Sequence, residues 1–343
     1  MDINFEHRAA AHCETGVTSN LLNFHGCQLS ESMIFGIGEG LTFIYMPFVS
    51  FKGNSLKFSF RSFPGSIFAH TMKKLHVKYE LKRFAGKEDG MKELDKLLSK
   101  GIPVGAVVGL YHLPYSPIRV HFNAHNLCVL GREGDEYIIS DPSWHTTLTK
   151  ISYNDLMKVR FSEGIFKPRG KMYWIKEKPV LSNDMRHIVE NSIKNTCRKM
   201  TRFLLVPHFG VQGIVTLSKK IRKLEEKYGE KDAMLYLAGL VQAIEEIGTG
   251  GAGYRYMYGL FLHEAAELLG ESKLKDFSVE MTCIGDLWRQ FTLECGRKLK
   301  KRREASYDDL ADRLFEIAGA EKKLFIALRK FVKQNARNNY KHR

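Results

Sequence analysis

Apolar positions along the first half of the chain switch between helical and extended spacing. From Cys13 to His25, Val17, Leu21, Leu22 and Phe24 share one side of a helix that Gly26 ends. Ser30 offers a cap for a second helix, 30–35, which runs into the glycine-rich GIGEGL at 36–41. LTFIYMPF (41–48) and KFSFRSF (57–63) predict strands, followed by a helix over 66–74 and a strand over 77–84. Between Asp89 and Lys100, the spacing of Met91, Leu94, Leu97 and Leu98 predicts a helix stopped by Gly101. PVGAVVGLYHL (103–113) is continuous enough to be a buried strand. HNLCVLGREGDEYIISDP (125–142) predicts a β-hairpin with two apolar arms around a charged, glycine-bearing turn, GREGDE. A short helix at 153–159 and a strand, KMYWI (171–175), close this half.

The alternation stops at KEKPVLSND (176–184), where charge, Pro179 and Asn183 predict a linker. Beyond it the period is helical throughout, over 186–204, 214–228, 233–247, 255–269, 278–300 and 307–335, with Gly229, Gly248 and Gly270 as stops. No repeat of fixed period occurs. The expected fold class is α+β, with one domain over 1–178 and an all-helical one over 184–343.

Composition narrows the class. Hydrophobic residues make up 44% of the 343 and charged residues 27%, enough apolar material to exclude a chain disordered throughout. No apolar run approaches the roughly 18 residues a membrane span needs, so no membrane partner is expected. MDINFEHRAAAHCETG carries Asp2 and Glu6 and lacks the apolar stretch of a signal peptide, which makes the cytoplasm the default location. The net charge of +15 suits either an acidic partner or simple solubility. Two basic runs, RKLKKRR (297–303) and the acid-free tail 329–343, read as solvated helix faces. Neither interleaves aromatics nor sits in a nucleic-acid motif, so no nucleic acid is expected. The six cysteines, at 13, 27, 128, 197, 283 and 295, form no C-x-x-C pair. That leaves no zinc ribbon or thioredoxin-like motif, and neither a metal nor a cofactor is expected.

One cysteine differs from the rest. Cys13 opens the first predicted helix, where the positive end of the macrodipole favours a thiolate and backbone N–H groups point outward. A cysteine nucleophile needs a base, and the base needs an orienting group. His125 opens the hairpin and Asp141 closes it, and an antiparallel return sets the outer ends of the two arms side by side. A six-residue turn with five-residue arms makes the pair neighbours, and Pro142 ends the second arm just beyond. His121 is a competing base but has no carboxylate at the matching hairpin end. GIGEGL lacks the dinucleotide-binding spacing and reads as a loop, though its glycines permit close backbone approach. GTGGAG (248–253) opens a helix, where a phosphate is one possible ligand and a plain turn the other. His263-Glu264 lacks the second histidine of a zinc protease helix.

The order Cys, His, Asp resembles the papain-like cysteine enzymes, and the hairpin resembles that of the peptidases that trim bacteriocin leaders. A closer resemblance covers nearly the whole chain. HCETGVTSNLLNFHGCQLSESMIFGIGEGLTFIY (12–45) is similar to the opening of the butirosin biosynthesis protein H family. IGTGGAGYRYMYGLFLHEAAELL (247–269), with Trp288 downstream, is similar to the helical domain found beside it. The resemblance implies a papain-like domain followed by a helical one. It also implies an acyltransferase that takes an acyl group from an acyl carrier protein thioester onto its own cysteine and passes it to a small-molecule amine acceptor. By position, Cys13 would be the nucleophile, His125 the base and Asp141 the orienter. Papain-like enzymes usually place a glutamine shortly before the cysteine for the oxyanion hole. Residues 1–12 hold none, and Asn4 is the only side-chain amide there, so the hole falls to backbone N–H groups, that of Cys13 among them. A hydrolase with the same triad and a non-catalytic binding protein are the alternatives. Carrier proteins are acidic, which directs attention to Arg297–Arg303 and to Arg255 as docking cations. No substrate-binding residue follows from the sequence.

Overall fold

The computed structural model describes residues 3–48, 57–116, 119–144, 146–179, 184–202, 207–247, 249–300 and 305–341, with side chains to 335. They form two compact units, 1–34 with 64–183 and 35–63 with 184–343.

The first unit is built on a six-stranded antiparallel sheet. In chain order its strands are β3 (Tyr79–Lys82), β4 (Val104–Val108), β5 (His125–Glu133), β6 (Glu136–Ser140), β7 (Thr149–Ser152) and β8 (Met172–Ile175), and their spatial order is β3-β8-β4-β5-β6-β7. The numbers β1 and β2 belong to Leu41–Tyr45 and Phe58–Arg61 of the second unit. Strand alternation sorts the two faces. Val104, Ala106, Val108, Leu127 and Val129 join Met91, Leu94, Leu97 and Leu98 of α4 (Lys87–Leu98) and Leu156 and Val159 of α5 (Tyr153–Arg160) in one core. Each such fully buried aliphatic side chain contributes about 1.5–3 kcal/mol. The opposite face receives α1 (Cys13–Phe24) and α3 (Ser66–Lys74). β7 carries Ile151 as its single apolar residue and escapes the apolar-run pattern.

Buried acids fix the ends of these helices. Glu14, wholly buried on α1, accepts from the backbone N–H of Gly65 (2.9 Å) and Phe68 (3.1 Å). It thereby caps α3, whose own cap, Gly65, has no side chain to do so. Glu31, first residue of α2 (Glu31–Ile37), accepts from Ala11 N, His12 N and Thr15 Oγ1 and so holds the entry to α1. Burial pushes the Glu31 carboxyl up, and these three bonds oppose that.

The second unit pairs β1 with β2 and gathers six helices: α6 (Met185–Thr201), α7 (Gly210–Arg222), α8 (Leu224–Glu245, kinked at Gly229), α9 (Arg255–Leu269), α10 (Lys273–Leu299) and α11 (Tyr307–Lys341). The β1–β2 segment, expected within a 1–178 domain, thus belongs with the helices. Its aromatics explain why. Phe35 stacks on Tyr254 at 5.0 Å, and Phe43 and Phe60 pack on Trp288 at 6.3 and 5.3 Å. At the centre Arg255, fully buried, makes a bidentate pair with Glu321 (2.8 and 3.1 Å), and Trp288 Nε1 donates to the same carboxylate at 2.7 Å. Among the described residues no helix is long and apolar enough to cross a membrane.

Candidate active site

Cys13 is the first residue of α1. His12 caps the helix, its backbone extended and its Nδ1 accepting from Thr15 N at 3.4 Å. The Cys13 sulfur therefore sits where the helix N–H groups are directed. Cys13 is half-buried, whereas Cys27, Cys128, Cys197 and Cys295 are buried and Cys283 is exposed. Burial pushes the Cys27 thiol up to about 11, and those of Cys128, Cys197 and Cys295 further up.

His125 opens β5, 3% exposed, and its Nε2 lies 2.7 Å from Asp141 Oδ2. The imidazole is also hydrogen-bonded to the Cys13 side chain. With Nε2 held by the carboxylate, Nδ1 is the nitrogen left for the sulfur. Burial works against the charged imidazole, but the Asp141 charge and hydrogen bond, with Cys13, outweigh it and raise the group to about 10. A protonated imidazole beside the Cys13 sulfur is the charge state this arrangement favours. Asp141, wholly buried, also accepts from Tyr115 Oη at 3.1 Å and, through Oδ1, from Ser143 N at 3.2 Å. Burial and the adjacent carboxylate push the Tyr115 phenol up, which keeps it a donor.

The hairpin reaches this geometry by a different register from the one expected. β5 and β6 pair as far as Glu133 opposite Glu136, so the turn is Gly134-Asp135 and not six residues. A bulge between Val129 and Gly131 then shifts the pairing to set Cys128 opposite Ser140. His125 and Asp141 meet diagonally across the strands. His121 is exposed and stacks on Tyr111 at 4.0 Å. Asn4 is exposed as well.

Tyr115 and two further side chains were passed over in the sequence reading. Asn126 Nδ2 lies 3.9 Å from Cys13 Sγ, and Tyr173 Oη donates to Asn126 Oδ1 at 2.8 Å. Asn126 adjoins His125 in sequence, which was the one available signal. Tyr115 and Tyr173 had none, since both arrive through tertiary packing.

Within the glycine motifs of the second unit, Gly36 and Gly253 are packed against aromatic rings. A methyl at Gly36 would lie 2.1 Å from the Phe261 ring, and one at Gly253 2.4 Å from Phe60. In GTGGAG, Gly248 lies outside the described residues. Gly251 N is taken by Thr249 Oγ1 and Ala252 N by the Glu245 carboxylate, so an acid already occupies this turn and a phosphate is disfavoured. Arg255, buried against Glu321, is no docking cation. Of the run 297–303, residues 301–303 lie outside the described residues.

Comparison with known proteins agrees with the layout. Residues 12–142 match the family model described as butirosin biosynthesis protein H, N-terminal. Residues 154–328, just over half of the chain, match a domain of unknown function (DUF4872). That second match begins on α5, inside the first unit. No curated protein matches the chain. Among solved structures, it is similar to a C39-like peptidase from Bacillus anthracis, at 14% identity and a TM-score of 0.36, over 52% of this chain and 96% of that one. A likeness that loose has no bearing on the activity.

Proposed function

We propose, for a chain that belongs to the family joining a butirosin biosynthesis protein H N-terminal domain to this helical domain, that it is a cysteine-dependent acyltransferase of small-molecule biosynthesis. The observation that carries the reading is the His125 imidazole, hydrogen-bonded both to Asp141 and to a cysteine at a helix N-terminus. The donor is an acyl thioester on an acidic acyl carrier protein, and the acceptor is a small-molecule amine, as the family resemblance implies.

The chemistry runs in two halves. The Cys13 thiolate attacks the thioester carbonyl, forming a C–S bond, and the tetrahedral intermediate expels the carrier thiol, which takes the proton held by His125. Neutral His125 then removes a proton from the incoming amine as nitrogen attacks the acyl-cysteine. The C–S bond breaks with its electron pair returning to sulfur, and an amide leaves. Asp141 keeps the ring oriented and supports its charge throughout. Donors to the two oxyanions come from the backbone N–H groups at the start of α1.

Intact-protein mass spectrometry after incubation with acyl thioesters tests the proposal. Wild type should gain the mass of one acyl group, Cys13→Ala none, and an amine acceptor should discharge the adduct much faster than water. Discharge at one rate with or without amines would make the protein a hydrolase. Absence of any adduct across carrier-linked and free donors would leave a binding protein.

A further inference from the structure

A buried amide beneath the Cys13 sulfur has no part in the Cys13, His125, Asp141 scheme. Asn126 is 3% exposed and stands second in β5, with its side chain on the sheet face that receives α1. Its Nδ2 carries two hydrogens. One is given to Ala124 O at 3.1 Å, and the other is directed at Cys13 Sγ at 3.9 Å, within reach of a soft, diffuse sulfur acceptor. Its Oδ1 accepts from Tyr173 Oη at 2.8 Å. Those contacts settle which way the amide is turned. Rotated by half a turn, the amide would set its oxygen against the Ala124 carbonyl and against sulfur, and its NH2 against the tyrosine hydroxyl.

Tyr173 reaches Asn126 from β8 across the intervening strand β4, because Gly105 lies between them. Gly105 is paired with Tyr173 on one side and with Cys128 on the other, and a methyl there would fall 2.3 Å from the tyrosine ring. The ring is wedged further by Phe68 of α3, 4.2 Å away centroid to centroid. Burial pushes the phenol well up, so it stays a neutral donor at every working pH. The amide is thereby held by two fixed elements of the sheet.

We infer that Asn126 is a catalytic residue whose side-chain N–H donates to the Cys13 thiolate, and that Tyr173 is the positioning residue that keeps this N–H turned to sulfur. The inference rests on the reading of Cys13 as nucleophile and deepens it. The thiolate acts twice, as attacking group on the donor and as leaving group when the amine takes the acyl chain. When the acyl C–S bond breaks, the electron pair returns to sulfur in front of a donor already in place, which favours expulsion of sulfur over expulsion of the amine. The titratable groups around the sulfur are His125 from β5, Tyr173 from β8, and His12 and Glu14 beside Cys13 in the chain, Glu14 being turned to the start of α3. His125 supplies the opposite charge, and Asn126 a neutral donor from another side.

The test uses the full chain and iodoacetamide, with alkylation of each cysteine followed by peptide mass spectrometry against pH. Exposed Cys283 serves as internal reference. In Asn126→Ala the acid limb of Cys13 alkylation should move up by about one pH unit, a tenfold loss of thiolate on that limb. In Tyr173→Phe, which removes only a hydroxyl, the limb should move the same way by less, with the Cys283 profile unchanged in both. Should Asn126→Ala fail to fold, Tyr173→Phe decides alone. An acid limb unmoved in folded Tyr173→Phe and Asn126→Ala overturns the inference. A wild-type Cys13 no more reactive than Cys283 defeats instead the reading of Cys13 as nucleophile, so the two failures are told apart.

Discussion

Three donors converge on the Asp141 carboxylate, and they are not equivalent. His125 Nε2 and Tyr115 Oη share Oδ2, while Ser143 N takes Oδ1. The charge that raises His125 to about 10 is that of Asp141, with burial pulling the other way. Asp141→Asn should therefore lower the imidazole midpoint, with the Cys13 contribution left in place, while Tyr115→Phe leaves it high. NMR titration of 15N-labelled imidazoles reads both. The same shift has a sign for stability. A folded-state value above the unfolded one stabilises fully below about pH 6.5 and is lost as pH rises through about 10. Denaturation at pH 7 and pH 10 should show a fall in stability that His125→Ala reduces. Turnover should suffer more from His125→Ala than from Asp141→Asn, since the base moves the proton and the acid only orients it. At this scale Cys13, His125 and Asp141 were legible in the sequence because each sits at the end of an element, and ends carry signals: a helix start, a strand start, a Pro after the carboxylate. Asn126, Tyr115 and Tyr173 were not legible, because an Asn or Tyr within a strand or loop reads the same whether it meets sulfur, carboxylate or water.

Hairpin β5–β6 illustrates how an element's existence and its register are separate questions. Two apolar arms and a glycine-bearing turn predicted the hairpin, but the strands continue into the charged segment to Glu133 and Glu136, and a bulge near Leu130 takes up the change. Charged residues pair there because this end of the hairpin is exposed, so polarity did not mark where the strand stopped. The fate of 35–63 has a related cause. Period shows that a face is buried and is silent on what buries it, and here the β1–β2 aromatics meet Trp288, more than 200 residues away in sequence. Gly36 and Gly40 of GIGEGL are packed against rings in the same unit, Phe261 and Phe35. Ala is ordinarily about 1 kcal/mol better than Gly inside a helix. Gly36, within α2, faces the Phe261 ring at 2.1 Å from where a methyl would sit. Overpacking should win, and Gly36→Ala should destabilise by about 1–3 kcal/mol in urea unfolding. Phe261→Leu in the same chain should recover part of that loss. A Gly36→Ala protein as stable as wild type would mean that the ring moves aside freely.

Net charge is a property of the whole molecule, and its +15 can act on a partner only through cations that face water. Arg255 does not. Held by Glu321 and stacked between Phe60 and Trp288, it is a strut, and Arg255→Glu would set two carboxylates together in the interior. Breaking such a pair costs about 3–5 kcal/mol, so that variant should lose fold before it reports on docking. Arg297 faces a surface depression that also contains Glu294, Asp309, Asp312 and Glu316, which dilute its field. Neither Arg255 nor Arg297 is thus an evident anchor, and attraction of an acidic carrier would be a collective effect of the surplus. A collective field is the kind that salt weakens, because at physiological ionic strength charges more than about 8 Å apart are largely screened. Carrier-linked donor should therefore be used better than the same acyl group on a small thiol, through faster association. That preference should shrink severalfold between low salt and about 0.5 M, and Arg297→Glu should change it little. The small-thiol reaction measured in parallel removes any effect of salt on the Cys13 chemistry itself. A carrier preference equal at both salt concentrations would show that the donor docks by shape and leave the positive surplus to solubility.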